Sequence, residues 1–121
     1  MTNKVVVLVT CGTRREANRI AAELVERRLA ACVNVLGAPV RSTYRWKGRV
    51  ETAAEYLLLI KTAKKKLPAL RAAVERLHGY EVPEVIALPI AEGSPAYLGW
   101  LSECLRPARR GAHQGRGGSS A

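Results

Sequence analysis

The chain has 121 residues, 48% of them hydrophobic, which fits a single domain with a buried core. Its formal net charge is +10, from 20 Lys and Arg residues against 10 acidic ones. A basic protein suggests a nucleic-acid partner, but here the basic residues are spread along the chain and no aromatic-rich strand accompanies them as a stacking platform. The composition therefore argues against nucleic acid.

The sequence also argues against a membrane partner and against disulfides. Its longest apolar run, Val5–Val9, is far shorter than the roughly 18 residues of a membrane span and stands too close to the start for a signal peptide. The three cysteines, Cys11, Cys32 and Cys104, are odd in number and form no C-x-x-C pair, which predicts reduced thiols. We therefore expect a cytoplasmic protein.

A strand and an amphipathic helix open the chain. The β-branched run Lys4–Thr10 predicts a strand buried on both faces. Thr13 and Glu16 form a T-x-x-E capping box, in which each side chain bonds the other residue's backbone, and apolar residues follow at helical spacing. Cys11 stands before this helix, where the dipole lowers the pKa of a thiol and raises its reactivity. The alternative for Cys11 is a small buried apolar residue.

The middle of the chain predicts a long hairpin. Strands are predicted at Cys32–Gly37, Arg41–Gly48 and Ala54–Thr62. Tyr44 and Trp46 fall on one face of the second of these strands, and Lys47-Gly48 predicts the tight turn that ends it. Long hairpin strands leave exposed edges unless another chain pairs with them.

The rest of the chain predicts a second crossover and a short terminal helix. A helical stripe follows the hairpin up to Gly79, which stands where a helix C′ residue adopts positive φ. Glu84–Gly93 predicts a strand whose Pro89 indicates a sheet edge or a bulge. Ser94-Pro95, as N-cap and first helical residue, predicts a short C-terminal helix.

The element order β-α-β-β-α-β-α predicts an α+β fold. Two crossovers around a central hairpin indicate a ferredoxin-like, split β-α-β antiparallel sheet with two packed helices and a short C-terminal helix. This domain spans residues 1–105. Residues 106–121 hold four arginines and many Gly and Ser, so we expect a disordered basic tail.

The stretch His78–Val85, HGYEVPEV, carries candidate metal ligands. His78 offers an imidazole and Cys11 a thiolate, the ligand types that suit copper and zinc, and Glu81 or Glu84 offers a carboxylate. The alternative is a structural His78 that bonds the last carbonyls of its helix. The sequence leaves open whether the end of the first strand and the end of the second helix meet within one subunit.

Six segments resemble, in order and spacing, the CutA divalent-cation tolerance proteins: VVVLVTC, ERRLAACVNV, YRWKGRVE, LLLIKT, HGYEVPEVIALPI and YLGW. The resemblance covers about Lys4 to Leu105. It implies a ferredoxin-like subunit in a tight homotrimer, linked to tolerance of copper and other divalent metals, in a family with no established enzyme. The family often has proline where this chain has Gly12 and Gly79, which implies looser loops around any ligand.

The implied homotrimer suggests roles for aromatic and basic side chains. Tyr44, Trp46 and Trp100 are candidates for its interface, the alternative being an ordinary role in the core of one subunit. The trimer also resembles that of the PII signalling proteins, which bind effectors between subunits. Lys61 and Lys64 are candidates for an anionic effector, because lysines at a helix start oppose the dipole; the alternative is plain solubility.

The sequence predicts no enzyme and no organic cofactor, since it contains no G-x-S-x-G, H-E-x-x-H or Walker motif. We expect a homotrimeric protein of divalent-metal tolerance and homeostasis, chiefly for copper, that binds the ion weakly near His78 and Cys11. The alternatives are a PII-like signalling module with a small anionic effector and a trimeric interaction protein without a ligand.

Overall fold

The computed structural model describes residues 2–107. The elements are β1 Lys4–Cys11, α1 Arg14–Glu26, β2 Cys32–Val35, β3 Val40–Trp46, β4 Arg49–Ala63, a 3₁₀ turn Lys64–Lys66, α2 Leu67–Leu77, β5 Ile86–Pro89 and α3 Pro95–Cys104. This is the predicted order of strands and helices. The predicted basic tail lies, from residue 108 onward, outside the described residues.

The strands form one antiparallel sheet with the order β2-β4-β1-β5. β4 lies between β1 and β2, and β1 lies between β4 and β5, so each β-α-β unit is split by one antiparallel strand. The predicted α+β antiparallel sheet is confirmed. Pro89 lies on the edge strand β5, as predicted, where a residue without a backbone N–H is tolerated.

The long strand β4 joins the body of the sheet to a projecting hairpin. Its second half pairs with β1 and β2, whereas its first half, Arg49–Glu55, pairs with β3 alone. Lys47 and Gly48 have φ of 51° and 80°, which confirms the predicted two-residue turn between these strands. Most side chains of this hairpin are exposed.

The core lies between the sheet and the inner faces of α1 and α2. Its largest fully buried side chains are Ile20, Leu24, Leu58, Ile60 and Leu70. A smaller cluster under α3 contains Ala31, Ala63, Leu101 and Leu105. No helix among the described residues is long and apolar enough to cross a bilayer.

The start of α1 differs from the predicted capping box. Thr13 Oγ1 accepts a hydrogen bond from the Glu16 N–H at 3.1 Å, so the N-cap forms as expected. The Glu16 carboxylate, however, turns toward α2 and accepts from the Gly79 N–H at 2.8 Å. Only half of the box therefore forms, because the second half competes with a tertiary contact.

Two further predictions about chain ends are corrected. Gly79 does not take a positive φ, because α2 ends at His78 with an extended backbone (φ −84°, ψ 145°). Strand β5 is shorter than the predicted Glu84–Gly93, because it pairs only with Val5–Leu8 of β1.

We expect Thr13→Ala to lower the free energy of unfolding by about 1 kcal/mol, because one N–H at the start of α1 loses its acceptor. Urea unfolding followed by circular dichroism measures this change. Thr13→Asn, which keeps a capping oxygen, is the matched control and should stay close to the parent chain. Equal losses in both variants would mean that the cap bond is not the cause.

Candidate functional site

Three elements meet at one end of the sheet and bring together one thiol, one carboxylate and one imidazole. Cys11 is the last residue of β1, Glu16 lies in the first turn of α1, and His78 follows the last residue of α2. One ligand atom from each lies within 4.8 Å of the other two. The ends of the first strand and of the second helix therefore meet within one subunit, which the sequence left open.

The His78 ring is buried, and both of its nitrogens have backbone partners. Nε2 lies 2.7 Å from the Thr10 carbonyl oxygen, which can only accept, so Nε2 carries the proton. Nδ1 accepts from the Tyr80 N–H at 3.1 Å. The ring is thus neutral in this arrangement, and the 3.9 Å separation between Nδ1 and Glu16 Oε1 is not an ion pair. His78 bonds β1 instead of the last carbonyls of its own helix.

Glu16 is the ligand candidate that sequence reasoning missed. The T-x-x-E pattern assigned its carboxylate to the helix cap, whereas the Gly79 N–H holds it across the gap between α1 and α2. A proline at position 79 could not donate this bond. The only sequence signal for Glu16 is that it is an acid in the first turn after Cys11, and that is equally typical of ordinary helix starts.

Cys11 is not the reactive thiol that its place before a helix suggested. Its side chain is fully buried, and burial raises the pKa of the thiol from 9.0 to about 12, with further contributions from the negative charges of Glu16 and Glu55. The helix N-terminus does not overcome burial and two nearby carboxylates. Cys11 is therefore a neutral thiol at physiological pH.

A cavity of about 690 Å³ adjoins the cluster, between the β3–β4 hairpin and residues 79–84. Glu81 and Glu84, the carboxylates that the sequence offered as ligands, are exposed and line this cavity, and they lie outside the group formed by Cys11, Glu16 and His78. Tyr80 connects the two sites, because its hydroxyl donates to Glu55 Oε2 at 2.7 Å. Burial and this bond raise the pKa of Tyr80 above its ordinary value.

The remaining predicted site residues lie elsewhere. Tyr44 and Trp46 are exposed on the hairpin and line the same cavity, whereas Trp100 is half-buried beside Tyr97 at a ring-centroid distance of 5.4 Å. Lys61 pairs with Val6 and Cys32 in the body of the sheet, and Lys64 opens the 3₁₀ turn after β4. Neither lysine lines the cavity.

Comparison with known proteins identifies the family. The CutA1 divalent ion tolerance protein family matches residues 5–104. The chain belongs to this family. The divalent-cation tolerance protein CutA of Thermus thermophilus is 51% identical over 98 residues, which cover 81% of this chain and 94% of that protein. CutA1 proteins are tolerance proteins and not enzymes, in agreement with the sequence-based prediction.

Solved CutA structures share the fold. That of the Thermus thermophilus protein matches with a TM-score of 0.79 at 50% identity, covering 81% of this chain and 94% of that one. The periplasmic CutA of Archaeoglobus fulgidus matches with a TM-score of 0.82 at 35% identity, covering 85% and 99%. Mouse CutA is 47% identical over 95 residues, 78% of this chain, which spans about half (53%) of the mouse protein.

We expect folded Cys11 to resist alkylation by iodoacetamide at about pH 8, while Cys32 reacts. The raised pKa lowers the thiolate fraction of Cys11 by roughly a thousandfold, and burial blocks access as well. Mass spectrometry of peptides after timed labelling measures both rates. Labelling in urea serves as the control, because both thiols should then react alike. A folded Cys11 that reacts as fast as Cys32 would contradict the buried, protonated state.

Proposed function

We propose that this CutA1 protein contributes to divalent-metal tolerance, chiefly of copper, by binding the ion at Cys11, Glu16 and His78. The observation that carries the proposal is the convergence of three ligand atoms within 4.8 Å. Thiolate and imidazole ligands suit copper and zinc, and a carboxylate completes a mixed set of a kind known for both metals. The donor set thus fits the family's divalent ions.

The orientation of His78 supports this assignment. Histidines that bind metals usually donate their second ring N–H to a carbonyl or carboxylate, which fixes the tautomer. The Nε2–H bond to Thr10 supplies this contact and leaves Nδ1 on the side of Glu16. Binding through Nδ1 displaces one hydrogen bond, from Tyr80 N–H, with a net cost of about 1 kcal/mol.

Two features make the proposed binding weak. Cys11 must lose a proton that burial and two carboxylates hold firmly, and metal binding releases this proton. Nδ1 of His78 must give up its present partner. Glu81 and Glu84, exposed on the adjoining cavity, remain proposed carboxylates for the ion's approach or for its outer coordination.

We expect Zn(II), titrated calorimetrically into the full chain, to bind with an affinity that Cys11→Ala lowers by about tenfold or more. Glu16→Gln should also weaken binding, although its amide oxygen can still accept from Gly79 N–H. Cys32→Ala is the matched control, since it removes a thiol outside the cluster. All variants carry His113→Ala, so that this second histidine adds no binding of its own.

Copper requires a separate readout because Cu(II) oxidises thiols. Co(II) serves as a spectroscopic substitute, and a thiolate-to-metal charge-transfer band should appear in the parent and in Cys32→Ala but not in Cys11→Ala. Cu(II) binding can then be compared between the parent and Glu16→Gln. Unchanged affinities in Cys11→Ala and Glu16→Gln would exclude the cluster as the metal site. His78→Ala is less informative, because it also breaks the contacts of the ring with Thr10 and Tyr80.

We further propose a homotrimer, in which the projecting hairpin and the edge strand β5 meet neighbouring subunits. Among the described residues, the outer edges of β3 and β5 have no strand partner. Large apolar side chains are exposed along these edges: Val50 (64%), Val82 (67%), Ile86 (50%) and Leu88 (50%). Unpaired edges with exposed apolar side chains favour pairing with another chain, and Tyr44 and Trp46 would contribute there.

Light scattering coupled to size-exclusion chromatography should give three times the 13.2 kDa mass of one chain. Leu88→Glu should shift this mass toward one chain, because it places a charge on the face of β5 that the proposal buries. Val25→Glu, on an exposed position of α1, is the matched control and should keep the trimer mass. A parent chain that elutes as a monomer would exclude the assembly.

A cytoplasmic location also remains a proposal. Its support is chemical, because all three cysteines are free, as expected in a reducing compartment. Relatives are named for other compartments: the rice and Arabidopsis proteins are called chloroplastic and the Archaeoglobus fulgidus protein periplasmic. Fractionation of cells that express the native chain would decide this point.

A further inference from the structure

The wall of the cavity beside the cluster differs from the rest of this basic protein. Of its lining residues, three are glutamates and three are large aromatic residues: Glu55, Glu81, Glu84, Tyr44, Trp46 and Tyr80. None of the described residues that line it is a lysine or an arginine, although the chain has a net charge of +10. The cavity therefore concentrates negative charge beside aromatic rings.

Glu55 is the carboxylate that most requires a cation. It is only 6% exposed, and its Oε2 accepts one bond, from the Tyr80 hydroxyl at 2.7 Å. Within residues 2–107, no lysine, arginine or histidine nitrogen lies within ion-pair distance of it. Buried charges are normally compensated by an opposite charge, and one neutral hydroxyl does not supply it. A positively charged ligand would.

The aromatic side chains show which kind of cation fits. Tyr44, Trp46 and Tyr80 are each about two-fifths exposed, at 44%, 38% and 38%, so their rings remain accessible. Aromatic faces attract ammonium and guanidinium groups, and Lys47 Nζ already lies 5.7 Å from the Trp46 ring centroid. A cavity of about 690 Å³ is also far larger than one metal ion and falls in the size range of small-molecule sites.

We propose that this cavity binds a small organic cation, an amine or guanidinium compound, with its charged group at Glu55 and its body against Tyr44 and Trp46. Glu81 and Glu84 at the rim add long-range attraction. The site needs neither thiol nor imidazole, so it is independent of metal binding at the neighbouring cluster. The shared chemistry extends to an arginine side chain of another protein, which the experiment separates from a free compound.

The test is calorimetric titration of the full chain with butylguanidinium, in the presence of EDTA so that metal ions play no part. Butylurea, which has nearly the same shape without the charge, is the matched ligand. We expect saturable binding of butylguanidinium and affinity for butylurea lower by about tenfold or more. No binding of butylguanidinium, or equal affinity for both compounds, would overturn the proposal.

Variants locate the binding to the cavity. Glu55→Gln keeps an oxygen that can accept from Tyr80 but removes the charge, so it should weaken butylguanidinium binding by about tenfold. The double variant Glu81→Gln/Glu84→Gln changes exposed positions only and should weaken binding several-fold without affecting the fold. Glu75→Gln, an exposed acid on α2 outside the cavity, is the matched control. Unchanged affinity in both cavity variants would overturn the site.

A second arm distinguishes the two sources of the cation. The peptide acetyl-Gly-Arg-Gly-amide presents a guanidinium on an arginine side chain. Tighter binding of this peptide than of butylguanidinium would assign the cavity to a protein segment, and weaker binding would assign it to a free compound. In either case Glu55→Gln must lower the affinity for the proposal to stand. Because EDTA is present, failure here leaves the metal proposal untouched, and failure of the metal titration leaves this one untouched.

Discussion

The imidazole of His78 ties the end of α2 to the end of β1, and the geometry of the site depends on that contact. Its bond to the Thr10 carbonyl is buried, so losing it would leave polar groups unsatisfied in the interior at a cost of about 1–3 kcal/mol. Because Nε2 is used for this bond, Nδ1 faces the Tyr80 N–H and the Glu16 carboxylate. One buried side chain thus decides which thiol, carboxylate and phenol stand together.

Short contacts carry this constraint from the helix end to the hairpin. The Gly79 N–H holds Glu16, and the Tyr80 hydroxyl holds Glu55 on β4. Gly12 provides the room for Tyr80, since a Cβ there would lie 3.2 Å from the hydroxyl oxygen. The resemblance to CutA proteins suggested that two glycines would loosen these loops. In this chain, however, each glycine makes or permits a specific contact at the site.

Electrostatics separates the site from the rest of a basic molecule. Glu16 and Glu55 raise the pKa values of both Cys11 and Tyr80, so the thiol and the phenol are protonated while the carboxylates supply the negative charge. Such a field attracts cations in general, and the donor atoms then sort them. Thiol and imidazole favour a soft or borderline metal ion, whereas the aromatic wall of the cavity favours an organic cation.

The sequence by itself determined the order of the elements, the turn at Lys47-Gly48 and the caps at Thr13 and Ser94. These features depend on residues within about four positions of each other, through φ preferences, side-chain bonds to the nearby backbone and hydrophobic period. The family follows from the sequence as well, because its motifs recur in order along most of the chain. His78 and Cys11 were identified by their ligand chemistry alone.

Only the tertiary structure decided that Glu16 joins His78 and Cys11, that Cys11 is a protonated buried thiol, and that Glu55 lies beside an acidic, aromatic cavity. The bonds responsible join residues 63 and 68 positions apart in the chain, from Gly79 to Glu16 and from His78 to Thr10. Burial and the direction of a side chain depend on such distant neighbours. No local pattern records them, and this is why a capping glutamate and a helix-start cysteine were read from sequence in their local roles.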